Sequence, residues 1–344
     1  VALGLGNLSE VYFRQARHSE ALDYIRRSTR VLRKRLDQDV SSKSAGAESE
    51  RKGQRGYFEQ HSQIAYSLSE VEPTQSASLH SEAFEVIQLA QVSSAASALT
   101  QMTARLGAGD DALSEAVRRR QDLAAYWRSL DKELLSTLSR PAEERDTDRE
   151  DRLRALIAQT DEKLSALDGE LQERFPEYVE LSNPQPLTGE EARMLLDVDE
   201  ALVVYAGGYA WVVRRDGLVM TKLDIELAAL EAGVSQLRAS FAPEDGKLPA
   251  FPYDVSHDLY TKIFKPLEEH LAGARHVMVV PDGALTSLPL SVLSRTGDED
   301  KPAWLAESYA LTTLPAVSSL RALRVLARKA GGEASPFTGF GDPS

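Results

Sequence analysis

The residues most suggestive of chemistry lie late in the chain, in Pro281-Asp282-Gly283-Ala284-Leu285-Thr286-Ser287-Leu288-Pro289-Leu290. They follow His276-Val277-Met278-Val279-Val280, the nearly continuous apolar run of a strand buried on both faces. A buried strand ending in Pro-Asp-Gly delivers a carboxylate to a sharp turn, and Leu288 and Leu290 then carry the chain back into the core. Asp282 therefore has two readings. It could be an acid at the edge of a cleft, but an aspartate before glycine at a strand end is first of all a turn former. The stronger reading is a fold signature, carried by Pro281, Asp282, Gly283, Leu285, Leu288 and Pro289, that could also border a substrate cleft.

Other chemistries are poorly represented. The chain has no cysteine, which excludes disulfides, thiolate metal sites and a cysteine nucleophile within these 344 residues. The six histidines, His18, His61, His80, His257, His270 and His276, form neither H-x-x-x-H nor H-E-x-x-H pairs, so no metal site is expected. There is no G-x-S-x-G elbow and no phosphate-binding loop, and no cofactor is expected. Gly4-Leu5-Gly6 opens like a dinucleotide fingerprint, but Ser9 takes the third glycine position and no strand precedes it. A formal charge of −13, from 53 acidic and 40 basic residues, argues against general nucleic-acid binding. Arg26, Arg27, Arg30, Arg33, Lys34 and Arg35 run against this trend, as the solvated face of a helix or as a site for phosphate or an acidic partner.

The elements that must position the signature belong to an alternating pattern after Pro176. Asn183-Pro184-Gln185-Pro186 reads as a stop and linker. Residues 201–205, 210–214 and 218–223 are rich in strand formers and are separated by Gly207-Gly208 and Asp216-Gly217, which predicts a three-stranded meander. Helical patterns follow at 224–241 and 254–272, split by a proline-containing loop at 243–252. Beyond the 276–280 strand, the pattern predicts a strand at 308–314, a helix at 316–330 and a short strand at Phe337–Phe340, completing an α/β arrangement.

The first half reads as helix after helix. Residues 2–15 and 18–37 form a pair with apolar positions three and four apart. Leu8, Tyr12, Ala21, Ile25 and Ser28 fall on the spacing of a tetratricopeptide repeat, a helix–turn–helix unit of about 34 residues. Residues 39–56 lack large apolar side chains apart from Val40 and read as a mobile linker. A second pair follows at 57–70 and 76–105, with the small-residue run Ser93–Ala98 suiting either a repeat array or a plain core contact. Two long helices, 111–139 and 147–174, meet around Pro141. Leu153, Ile157, Thr160, Leu164, Leu167 and Leu171 form a heptad seam, and Leu113, Val117, Leu123, Trp127, Leu130 and Leu134 a similar one broken by Arg120. An antiparallel hairpin would bury one seam against the other, with homo-oligomerisation through 147–174 as the alternative.

With 42% apolar and 27% charged residues, this is the composition of a globular chain of two or three domains, without any run of 18 apolar residues to span a membrane. A cytoplasmic location is the expectation. Val1 in place of Met, the end at Gly341-Asp342-Pro343-Ser344, and a lone repeat that cannot bury both faces all suggest a piece of a longer protein.

Val279-Val280-Pro281-Asp282-Gly283, Leu285 and Leu288-Pro289-Leu290 resemble the signature of CHAT domains, caspase-like domains usually attached to tetratricopeptide repeats. Trp304–Tyr309, Leu314–Leu320 and Phe340-Gly341-Asp342-Pro343 are similar to the family's next blocks. The resemblance implies an α+β chain: a partial tetratricopeptide repeat (1–38), a linker (39–56), further repeat-like helices and a long hairpin (57–180), and the N-terminal part of a caspase-like domain (187–344). It also implies a cysteine endopeptidase, related to separases and caspases, whose helical repeats recognise a protein substrate or regulator. The resemblance further suggests a bacterial protein acting in proteolytic signalling or defence. The family's histidine and cysteine lie downstream of the Gly-Asp-Pro strand, so no residue here receives a catalytic role. The alternative is a non-catalytic scaffold with a degenerate caspase-like domain; a third possibility is DNA-associated regulation through the 26–35 cluster.

Overall fold

The computed structural model describes residues 2–39, 46–91, 111–138, 146–175, 186–243 and 247–329. The chain is α+β. Its first part is helical: α1 (Ala2–Arg14), α2 (His18–Asp39), α3 (Gly46–Val71) and α4 (Ser76–Ala90). A hairpin follows, α5 (Asp111–Leu138) and α6 (Thr147–Arg174). After the short α7 (Gly189–Met194) come β1 (Glu200–Ala206), β2 (Tyr209–Arg214) and β3 (Gly217–Lys222). Then come α8 (Leu227–Ala239) and α9 (Tyr253–Leu259), the latter continuing through a π-helical turn (Tyr260–Phe264) and a 3-10 stretch (Lys265–Leu271). Strand β4 (His276–Val280), α10 (Leu305–Ser308), β5 (Ala310–Thr313) and α11 (Ser318–Lys329) complete the described elements.

The five strands form one mixed sheet in the order β3-β2-β1-β4-β5. The meander β1–β3 is antiparallel, whereas β4 lies parallel to both β1 and β5. Alternation of side chains across the pleat divides the core into two layers. Leu202, Val204, Trp211, Val213, Met278 and Val280 face one side, where Ile25, Ile64, Leu79, Phe84 and Ile87 of the helical pairs cover them. Val203, Tyr205, Val212, Val277 and Val279 face the other, against Val234, Leu237, Ile263, Phe264 and Leu267. Burial on both faces is what the unbroken apolar runs of β1 and β4 encode. The Tyr205 hydroxyl donates to the Ile263 carbonyl at 3.1 Å, satisfying a polar atom that this burial would otherwise strand.

Helices α1–α4 form two antiparallel pairs that share the sheet's core. In α1 the packed face is built from small residues. Ala2, Gly6 and Ser9 are buried, Ser9 donating to the Ala21 carbonyl at 2.7 Å and Ser28 to the Ala2 carbonyl at 2.8 Å. A Cβ on Gly6 would stand 2.2 Å from a Tyr57 ring carbon, so this contact with α3 requires glycine. Ala21 and Ile25 are fully buried, and Tyr12 stacks on Tyr24 at 5.1 Å. Leu8, expected in the same packing set, is instead exposed, because the helix turns Gly6 and Ser9 inward and leaves Leu8 off that face.

The linker expected at 39–56 is a second correction. Residues 40–45 lie outside the described part, but from Gly46 the chain is helical and runs without a break into the packed half of α3. Alanine, glutamate, arginine, lysine and glutamine propagate a helix readily, and packing at 57–71 supplies the nucleus that the polar half lacks. Of the helix expected at 76–105, the part to Ala90 is described, and Ser93–Ala98, Asn183–Gln185 and Phe337–Phe340 lie outside the described residues. The expected helix at 254–272 forms, although in three geometries.

The hairpin is antiparallel. Leu113, Ala116 and Val117 pack on Leu167 and Leu171, and Ala124 and Trp127 on Leu164. Arg120, which interrupts the apolar seam, ion-pairs with Asp168 across the two helices, and Glu133 meets Arg149 at 2.6 Å. Among the described residues no helix is long and apolar enough to cross a membrane.

Candidate functional site

The signature turn begins where β4 ends. Asp282 has an extended backbone, Gly283 takes φ +56°, and a 3-10 turn covers Gly283–Ser287. The left-handed geometry favours glycine at 283, since a Cβ there would crowd the following carbonyl. Thr286 and Ser287 bond back to the carbonyls of Gly283 and Ala284, each at 2.8 Å. Leu285, Leu288 and Leu290 are buried in the layer beneath α8 and α9, Pro281 is half-buried and Pro289 is exposed.

Asp282 does not use its carboxylate to close this turn. The carboxylate instead reaches into the helical layer and ion-pairs with Arg55 of α3, 227 positions away in sequence. Arg55 also holds Glu59 at 2.7 Å, so Asp282, Arg55 and Glu59 form a line of alternating charge. Burial works against the charged guanidinium, but the hydrogen bonds and charges of Asp282 and Glu59 together outweigh it and leave Arg55 above its ordinary value. The turn-former reading of Asp282 thus gives way to that of an interlayer tie. Arg55 escaped notice in the sequence because it lies in the stretch taken for a linker.

Next to this line stands the β1–β2 turn. Gly207 and Gly208 both have positive φ, and Glu59 flanks Gly207. Since β1 and β4 are parallel, both turns lie at the carboxyl end of the sheet, the edge where α/β proteins place ligands. Two shallow grooves open here. One, of about 430 Å³, runs between α1 and α3 past Asn7, Glu10, Glu59, Gln60 and Gly207. The other, of about 410 Å³, lies between Glu231 and Arg238 of α8 and Ala284 and Ser287 of the signature turn. The turn therefore borders one groove itself and is linked to the other through Arg55, which holds Glu59 in that groove's wall.

Two further polar ties fasten the helical layer to the sheet, and a third fastens it to the segment that leads into α7. Gln88 both accepts from the Leu187 N–H (2.9 Å) and donates to the Leu187 carbonyl (2.7 Å), while Gln91 donates to the Tyr205 carbonyl at 2.8 Å. His80 accepts the Met220 N–H at 3.2 Å through Nδ1, which leaves Nε2 to donate to Ser69 at 2.9 Å; burial holds its pKa below the usual value.

The histidines are not brought to the signature. His276 stands at the opposite, amino end of β4 beside Thr312, and His257 bonds the Ser294 carbonyl. His61 lies between Thr29 and Glu82. Burial alone would raise the Glu82 pKa, but hydrogen bonds from Arg26 and His61 bring it down to about 2. Arg26 and Arg33 of the basic cluster are spent on Glu82 and Glu85, at 2.6 and 2.9 Å, and Arg27 lies over the Tyr24 ring.

The family comparison bears on the same segment. Residues 254–344 match the model of the CHAT domain. This part of the chain is CHAT-domain sequence. The CHAT match takes in α9, β4, the signature turn, β5 and α11, whereas β1–β3 and α8 precede it although they share its sheet and core. Neither the curated proteins nor the solved structures gave a match.

Proposed function

We propose that this chain forms part of a caspase- or separase-like cysteine endopeptidase of the CHAT family, in which tetratricopeptide-like helical pairs receive a protein substrate or regulator. The observation that carries the reading is the ion pair between Arg55 and Asp282, which joins the helical layer to the CHAT signature at the carboxyl end of the sheet. A partner bound to α1–α4 would act on that turn directly, because α3 contacts it through this ion pair. The chain has no cysteine, so the thiolate that attacks the peptide carbonyl would come from outside these 344 residues. By itself the chain positions but does not cleave.

A second reading is a non-catalytic scaffold, favoured by the continuous core between helices and sheet. Reading the coding sequence past Ser344 tests the choice. The proposal expects a histidine-bearing strand followed by a cysteine-bearing strand, and loss of proteolysis when that cysteine becomes alanine. A substitution at either natural position, or proteolysis that survives the change, would establish the scaffold or another chemistry.

A further inference from the structure

On the face of the sheet opposite the helical pairs, the chain gathers four aromatic rings. Phe251 lies 6.0 Å from Phe241, 5.0 Å from Tyr253 and 5.3 Å from Trp304, and Tyr253 lies 5.8 Å from Trp304, centroid to centroid. Only one side of this cluster meets the core: Phe251 packs on it, Tyr253 and Trp304 are half-buried, and Phe241 is 47% exposed. Among the described residues neither the Trp304 indole N–H nor the Tyr253 hydroxyl has a hydrogen-bond partner. Aromatic rings with unused donors at a half-open surface are the usual anchors of protein interfaces.

The segments that carry the cluster are acidic. Trp304 stands at the base of a small hairpin, where Ser294 bridges it and the Arg295 N–H donates to the Ala303 carbonyl at 2.7 Å. The tip of that hairpin is Asp298-Glu299-Asp300, fully exposed and shaped by a bond from the Asp300 N–H to Asp298 at 2.9 Å. Its flank lies on α9, with Gly297 against the His257 ring. Asp254, beside Tyr253, is exposed as well, and none of these four carboxylates is in an ion pair among the described residues. Asp258, by contrast, is neutralised by Lys262 at 2.8 Å. Arg295, at the base of the hairpin, is paired with Glu268 at 3.3 Å, and the other cations of these segments are Lys247 and Lys301, so the four carboxylates outnumber the cations left to meet them.

We infer that this surface binds an arginine-containing segment of a protein partner. A guanidinium stacks on Trp or Tyr through its flat face while its N–H groups bond carboxylates, a combination that lysine reproduces poorly. The four rings supply the stacking surface, the hairpin tip and Asp254 supply the counter-charge, and the chain's net charge of −13 favours the encounter.

The test uses the 344-residue chain and fluorescent dodecapeptides in which arginine, lysine or glutamate alternates with Gly-Ser, followed by anisotropy at low and physiological salt. The arginine peptide should bind about tenfold more tightly than the lysine peptide, and the glutamate peptide should not bind. Trp304→Leu should remove most of the arginine preference, and Trp304→Phe, which keeps a ring and the fold, should retain part of it. Asp298→Asn with Glu299→Gln and Asp300→Asn, all in an exposed tip, should weaken arginine binding about tenfold and flatten its salt dependence. Equal binding of arginine and lysine peptides, or binding indifferent to both the Trp304 and the tip variants, would overturn the inference. So would self-association of the chain that the Trp304 variants abolish, which would make a second copy the occupant.

Discussion

Breaking the tie between Arg55 and Asp282 should destabilise the chain by an amount that geometry sets. Asp282 has a side chain only 16% exposed, so Arg55→Ala leaves a mostly buried carboxylate with no counter-charge. Arg55 is 37% exposed and keeps Glu59, so Asp282→Asn leaves a cation that is still half satisfied. Hydrogen bonds to charged groups contribute roughly 1.5–3 kcal/mol, and sharing the guanidinium between two carboxylates lowers that. The expectation is therefore about 2 kcal/mol for Arg55→Ala, about 1 kcal/mol for Asp282→Asn, and a coupling near 1 kcal/mol in the double variant. Urea unfolding of the four proteins measures the cycle, and amide exchange over α3 reports where the loss falls: Gly46–Gly56 should lose protection first. Additive single effects, with coupling below about 0.3 kcal/mol, would refute the claim that helical layer and signature are energetically joined.

Glu82 predicts an acid limb. Its pKa of about 2 lies below the ordinary 4.5, so its contribution is complete above pH 4.5 and is lost as pH falls through about 2. The shift corresponds to ~3 kcal/mol, and about half of that after allowing for screening at its 25%-exposed side chain, so Glu82→Gln should flatten unfolding free energy measured against pH in this range. His80 acts higher: burial depresses its pKa, so its share of stability is present above about 6.5 and declines as pH drops below that, a slope that His80→Gln should remove in thermal unfolding. Gly6→Ala should cost about 1–3 kcal/mol because its Cβ meets Tyr57, and Tyr57→Ala in the same chain should recover part of the loss of Tm. Finally, the purified chain should show no thiol-dependent peptidase activity, and cleavage abolished by iodoacetamide would contradict that.

Much of the architecture was legible from local pattern. The apolar runs at 201–205 and 276–280, the Gly-Gly and Asp-Gly turns, and the heptad seams each fix an element through its own period, because pleat and helix repeat every two and 3.6 residues. The Pro-Asp-Gly turn marked the CHAT segment in the same way. What these patterns left out were contacts without a period. Nothing near Arg55 announces a partner 227 residues on, and nothing near Asp282 shows that its carboxylate leaves its own turn. Likewise the polar stretch from Gly46 to Gly56 has the composition of a linker, and it is helical because α3 continues into a packed half and an ion pair holds its end. The sequence by itself determined the elements and their buried faces, since burial imprints a local rhythm. Only the tertiary structure decided which charged groups meet, since an ion pair needs proximity in space and leaves no rhythm along the chain.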